Sequence, residues 1–413
     1  MNGSAATKSD NMSFENKKSR VLTNERHPYK ALKNLQNSTC VNIPFSEPAM
    51  TKEMTDAALE CLLNDRLVNG LSVKEFEESF ARYTGTKYAV AVNSGTAALL
   101  LSLKSIGIGK GDIVITQSAS FIATANAIVH AGATPLLLDI DNETLGLRKD
   151  QLQEAIKRYG NRIRAIIPVH LYGRMQDIEK ISEVKGAERI PVIEDACQAH
   201  GAELNGKKAG SIGTAGAFSF YSSKNMTVAG DGGMITTDDP EIRDKALSMR
   251  NQGAYNNDRY RNDIIGYNFR LNSVNAAIGK IQLKYLDQWN RNRAKIAELY
   301  ADRLSDRPGI RIPDSDSSLK RSSWHIYSIR TTRREELAQN LKQNGIETGI
   351  HYPIPIHLQN AYRNGVAIVP FSMENTEKWA NENLSLPIFG TMRIDSAEEV
   401  VSKINTYFGR RLP

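Results

Sequence analysis

The chain's 413 residues are 40% hydrophobic and 24% charged, a composition expected of a soluble globular protein and a length that suggests two domains with a tail. No apolar run approaches the ~20 residues of a membrane span, and the start MNGSAATKSDNMSFENKKSR lacks the apolar stretch of a secretory signal. The three cysteines, Cys40, Cys61 and Cys197, are far apart with no CxxC spacing, which argues against a disulfide framework or a metal site and suits a reducing cytoplasm.

Residues 1–40 hold seven Lys/Arg and three Asp/Glu, so +4 of the +7 net charge lies in a polar, aromatic-poor segment. A disordered leader is expected there. The remainder shows no basic face with interleaved aromatics, so nucleic acid is not an expected partner. Helices are predicted over Lys52–Leu63 and Val73–Tyr83, the second with Phe76 and Phe80 four apart. Short apolar runs then alternate with helix-length segments. The runs are YAVAV (88–92), IVIT (113–116), TPLLLDI (134–140), RAIIPVHLYG (164–173), IPVIEDA (190–196), GAFSFYS (216–222) and GGMITT (232–237). Between them, Ala97–Ile106 and Ala123–Ala131 read as helices. Strands this apolar are covered on both faces, so the pattern predicts a mainly parallel sheet between helices, an α/β fold.

Ser273–Leu304 reads as a long connecting helix that grows more charged toward its end. Beyond it, SSWHIYSIR (322–330) predicts a strand and Glu335–Asn344 a helix. The expected organisation is a leader (1–40), a large α/β domain (41–285) and a smaller α+β domain (286–413).

Ligands in open α/β sheets sit beyond the carboxyl ends of strands, so those ends hold the candidate chemistry. The first is followed by NSGTAALLL (93–101), where a turn through Gly95 lets Thr96 open a helix. Free N–H groups there suit an anion, although a Ser-Gly-Thr start is also an ordinary cap. In VIEDACQAHGA (192–202), Asp195 ends a strand, where a carboxylate needs a cationic partner from protein or ligand. Gln198 lies three residues on, and Glu194 points the other way. Ser219 ends a further strand, and Lys224 follows it before a glycine-rich loop. An acid, an anion cradle and a lysine at three strand ends are the parts that a pyridoxal phosphate site requires.

The motifs SGTAAL, SFIATANAIVHAGATPLLLDID, VIEDACQAHGA and FSFYSSKNMTVAGDGGMITT, in that order and spacing, resemble the DegT/DnrJ/EryC1/StrS sugar aminotransferases from about Asn42 to the end. The resemblance implies a PLP-dependent transferase fold (aspartate aminotransferase-like, fold type I) and a homodimer with sites at the subunit interface. It implies that Lys224 is the Schiff-base lysine and later the proton-moving base, and that Asp195 partners the pyridine nitrogen. By the same match Gln198 contacts the phenolic oxygen, Gly95, Thr96 and Ser219 hold the phosphate, and Phe121 stacks on the cofactor. From the sequence alone, Phe121 reads equally as core. Asn268 and Arg270 match a segment that reaches the partner's phosphate. His351 and Tyr352, in GIHYPIPIHLQNAY (349–362), match a segment near the sugar but read equally as packing residues beside Pro353 and Pro355. Dehydratases of this family carry histidine in place of the lysine, so Lys224 favours transamination from an amino acid to a keto sugar nucleotide. Another PLP reaction, such as an aldolase or elimination, and a PLP-binding regulator are the alternatives.

Overall fold

A computed structural model describes residues 42–254, 258 and 260–409; the expected leader lies outside them. Its principal strands are β1 (Tyr88–Val92), β2 (Ile113–Gln117), β3 (Thr134–Leu138), β4 (Ile163–Ile167) and β5 (Ile193–Asp195). Two short strands, β6 (Glu203–Leu204) and β7 (Lys207–Lys208), precede β8 (Ala215–Ser219) and β9 (Gly233–Thr237). Hydrogen-bonded neighbours run β1–β9–β8–β5 and β3–β2–β4. Parallel bridges Ile166–Val192 and Val169–Asp195 join β4 to β5, which gives the order β1–β9–β8–β5–β4–β2–β3. Both partners of β9 run antiparallel to it, while the β5–β8, β2–β3 and β2–β4 pairs are parallel.

Alternation along the strands explains why both faces are covered. Val90, Val92, Ala215 and Ala217 pack with the helix Gly95–Ser105 on one face. Ala91, Phe218 and Phe220 pack with Phe76 and Phe80 of the helix Leu71–Thr84 on the other. The Phe80 and Phe218 rings meet edge-on at 4.9 Å, a favoured aromatic geometry.

Three predicted strands are shorter than their apolar runs. The run at 164–173 stops at Ile167 because Pro168 has no N–H to donate, and the chain then curls into a short 3-10 turn at Leu171–Gly173 with Tyr172 at φ 61°. The run at 134–140 ends at Leu138, where Asp139 turns its carboxylate to accept from the N–H groups of Ile140, Asn375 and Thr376. The run at 322–330 is broken by Trp324 at φ 45°, so that strand β11 (Tyr327–Arg330) starts only after it. Ahead of it lies β10 (Lys320–Arg321), and β11 pairs antiparallel with β12 (Asn383–Leu386).

The helix Ser273–Leu304 is continuous and capped by the Asn272 side chain. Ala276 and Leu286 join the core around Phe76, whereas Ile296, Ala297, Tyr300 and Leu304 join a second core with Tyr327, Leu384 and Ile404. Ile43 belongs to that second core and bridges Ile346. The helix is thus a strut common to both cores, and it carries Asn290 and Arg293 under the site. Among the described residues, no helix is long and apolar enough to cross a membrane, and no group of three or more His, Cys, Asp or Glu residues could hold a metal ion.

Candidate active site

The carboxyl ends of β1, β5 and β8 open onto a cavity of about 340 Å³. Gly95, Thr96, Phe121, Asp195, Gln198, Ser219, Lys224, His351 and Tyr352 all line it. They come from segments more than 250 residues apart at the extremes.

The helix Gly95–Ser105 begins at the cavity wall. The Ser94 hydroxyl takes the Ala97 N–H at 3.1 Å and the Ser94 carbonyl takes that of Ala98. The N–H groups of Gly95 and Thr96, at the first helical positions, have no intrahelical acceptor. Glycine is required at 95, since a Cβ there would lie 2.7 Å from Ser219 Cβ and 2.8 Å from Cys197 Sγ. This close approach brings the Ser219 hydroxyl beside the helix start, a small cradle for an anion.

Asp195 is 4% exposed at the end of β5. One carboxylate oxygen accepts from the Thr124 hydroxyl at 2.7 Å and the other from the Cys197 N–H at 3.2 Å. No protein cation pairs with it among the described residues. The neighbouring Glu194 is the structural carboxylate: fully buried, it accepts from His170 Nε2 at 2.8 Å and from the N–H groups of Gly210, Ile212 and Gly213. Burial alone would raise its pKa, but those donors hold it below the usual carboxylate value.

Lys224 follows β8 in a turn closed by its own N–H to the Tyr221 carbonyl at 2.8 Å. Its side chain is half-buried. Burial of the amine lowers its pKa, which Cys197 and Asp195 partly offset. The amine has no ion-pair partner among the described residues. Three neutral imidazoles ring this region. His200 is fully buried and both its ring nitrogens lack partners; burial and the Lys224 charge push its pKa down to about 3. His351, lowered to about 4 by burial and then by Lys224, bonds the Ser385 hydroxyl through Nδ1 at 2.9 Å and stacks on Phe45. His325 is likewise lowered well below the ordinary value, chiefly by burial.

Phe121 is 54% exposed, which takes it out of the core, and its ring sits 5.6 Å from that of Tyr352. Gln198 is fixed at both ends of its amide. Its Oε1 accepts from the Tyr172 N–H at 2.8 Å and its Nε2 donates to the Tyr352 hydroxyl at 3.0 Å. One Nε2 hydrogen is left for a ligand. Asn268 and Arg270 do not line this cavity. Asn268 is exposed, and Arg270 donates to Asn251 Oδ1 at 2.9 Å. Sequence reasoning missed Thr124, whose position one helical turn after Ser120 in SASFIAT gave no sign that it reaches Asp195. It also missed Asn225 and His325.

The histidines carry a stability consequence. His200 is neutral in the fold but charges at ~6.5 in the unfolded chain, so between that value and about 3 the unfolded state binds the extra proton. Stability should therefore fall as pH drops through that window. Urea titrations should give a shallower acid loss for His200→Gln than for the parent chain, and equal slopes would assign the loss to other groups.

Residues 48–405 match the model of the DegT/DnrJ/EryC1/StrS aminotransferase family. A dTDP-3-amino-3,4,6-trideoxy-alpha-D-glucose transaminase of Streptomyces venezuelae is 38% identical over 361 residues, 86% of this chain and 92% of that one. A dTDP-3-amino-3,6-dideoxy-alpha-D-galactopyranose transaminase of Aneurinibacillus thermoaerophilus is 39% identical over 356 residues, 86% of this chain and 95% of that one. The crystal structure of S. venezuelae DesV in complex with a ketimine intermediate superposes with a TM-score of 0.82 at 37% identity, covering 87% of this chain and 95% of that one. With its sheet order, its cavity at the strand ends and these likenesses, the chain belongs to the DegT/DnrJ/EryC1/StrS aminotransferase family.

Proposed function

We propose that the chain transfers an amino group from glutamate to the ketone of a sugar nucleotide, with pyridoxal phosphate held in the cavity at the strand ends. The observation that carries this reading is a lysine amine without an ion-pair partner, sharing one cavity with an unpaired carboxylate and a helix start with free N–H groups. Both relatives described above are named for 3-amino sugars on dTDP, which supports a ketone at C3 of a dTDP sugar.

The residues fit the cofactor. Gly95 and Thr96 N–H groups with the Ser219 hydroxyl would hold its phosphate, and Asp195 its protonated ring nitrogen. Gln198 Nε2 would donate its remaining hydrogen to the phenolic oxygen. Phe121, presenting its ring to the cavity, would cover the ring face. When bound, pyridoxal phosphate supplies an aldehyde that carries the amino group and an electron-poor ring that acidifies the adjacent C–H. Lys224 Nζ then moves the proton. Its lowered pKa leaves more of the unprotonated amine available near neutrality, as a general base requires. The buried Thr124 hydroxyl and the Cys197 N–H hold the Asp195 carboxylate in its orientation. His351 and Tyr352 form the wall on which the sugar would lie.

Adding glutamate to the yellow, cofactor-loaded protein should bleach its visible band and release 2-oxoglutarate; a band that persists would refute the reading. A panel of keto sugar nucleotides then tests the acceptor.

A homodimer follows from the same reading. Asn268 and Arg270 lie outside their own chain's cavity, which supports their serving that of a second copy. Leu59, Leu62 and Leu63 on the helix Lys52–Asn64, with Leu67 and Leu71 beyond it, are all at least half exposed, an apolar surface of the kind that associates. Mixing inactive Lys224→Ala chains with inactive Arg270→Ala chains should restore part of the activity, since one composite site per heterodimer is intact. No recovery on mixing, or full activity in a monomer by sedimentation, would overturn this.

A further inference from the structure

Asn225, next to Lys224, is 4% exposed and fully hydrogen-bonded. Its Nδ2 donates to Asn290 Oδ1 at 2.9 Å and to the Ser323 carbonyl at 2.7 Å. Asn290 cannot turn over, because its own Nδ2 donates to the His200 carbonyl at 2.7 Å. The Asn225 oxygen is therefore the atom that faces His325 Nδ1, at 3.1 Å. An amide oxygen only accepts, so Nδ1 must carry the imidazole proton. In the neutral ring Nε2 is then a bare acceptor.

The backbone that carries the ring is held in place. The His325 N–H donates to the Tyr172 carbonyl at 2.9 Å, while the buried Arg293 guanidinium donates to the Trp324 and Ile388 carbonyls. His325 lines the same cavity as Lys224, and the Lys224 amine has no side-chain hydrogen bond among the described residues. The imidazole stays neutral because of its burial, with Lys224, Arg293, His200 and His351 facing it. Facing the Lys224 amine are Cys197 and Asp195. Both Asp195 oxygens already hold protein donors.

We propose that His325 is a positioning residue for Lys224: its bare Nε2 accepts a hydrogen bond from the amine, turning the amine's lone pair toward the substrate carbon. The chain Asn290–Asn225–His325 fixes the tautomer that makes this possible, and Asn225 ties it to the turn that carries Lys224. This rests on Lys224 being the proton-moving group, as proposed above.

The test uses cofactor-free protein, in which the pKa of Lys224 is read by competitive labelling against pH. An acceptor stabilises the ammonium, so His325→Phe should lower that pKa below the parent value, and His325→Gln, whose carbonyl can accept, should fall between. In cofactor-loaded protein, His325→Phe should slow the single-turnover half-reaction with glutamate by ~10-fold, the scale of a misaligned base, with KM for glutamate unchanged. Equal Lys224 pKa values in the three proteins, or a loss confined to KM for the sugar nucleotide, would overturn the proposal; the latter would make His325 a sugar contact. Should His325→Phe fail to fold, nitrogen-15 spectra of the parent protein decide, since a protonated Nε2 is incompatible with the mechanism. The labelling and the spectra require no transamination, so failure of the function itself would show separately, as a parent protein that does not respond to glutamate.

Discussion

Lys224→Ala should remove amino-group transfer altogether, leaving a protein that folds and still binds cofactor. The cradle at Gly95, Thr96 and Ser219 and the carboxylate of Asp195 are untouched by the change, so the groups proposed to hold the phosphate and the ring nitrogen remain. What disappears is the Lys224 amine, and with it the proposed covalent anchor and base. Covalent attachment and positioned proton transfer are separate contributions, the second alone worth ~10²–10⁴ in rate. Borohydride treatment of the parent protein should fix the cofactor to the peptide that contains Lys224, and mass spectrometry of Lys224→Ala should find no labelled peptide. Measurable turnover by Lys224→Ala comparable to the parent would remove the lysine from the mechanism.

Asp195→Asn should be the most damaging of the nearly isosteric changes. Asparagine with its oxygen toward the Cys197 N–H can still accept there while its amide N–H donates to the Thr124 hydroxyl, so the local hydrogen bonds that Asp195 makes are largely preserved. Its charge is not. A carboxylate at a 4% exposed strand end, with no ion-pair partner among the described residues, is costly unless a ligand supplies the positive charge. Replacing that ion pair by a neutral contact in a site of low dielectric should cost several kcal/mol in the transition state, on the order of 10²–10⁴ in rate. Binding of the sugar nucleotide should change far less. The measurement is the single-turnover rate with glutamate, alongside Gln198→Ala, which loses only neutral hydrogen bonds and should be milder. A rate for Asp195→Asn within a few-fold of the parent would leave Asp195 a structural carboxylate and misplace the cofactor.

Much of this site was legible because its parts sit at strand ends with distinctive neighbours. Asp195 followed an apolar run, and Lys224 stood between an aromatic run and glycines. Their conjunction pointed to one cofactor before any distance was known. Phe121 was not settled in the same way. An aromatic between strand and helix is ordinarily core, and only its 54% exposure at the cavity mouth decides otherwise. His351 and Tyr352 both line the cavity, and His351 is also held from behind by Ser385 and Phe45.

The amino-acid sequence by itself determined the alternation of buried strands and helices, the long helix Ser273–Leu304 and the placement of Asp195, Lys224 and Gly95 near strand ends. These depend on local periodicity and on residue types that few other chemistries require. Only the tertiary structure decided where strands end, which histidine tautomers exist and which residues support the site. Trp324, at φ 45°, lies outside the strand with its carbonyl accepting from Arg293, and Thr124 reaches Asp195 across more than seventy residues. Hydrogen-bond direction is a property of pairs brought together by folding. That is why Asn225, Asn290 and His325, unremarkable apart in the chain, became readable as one fixed relay only once the fold had set them side by side.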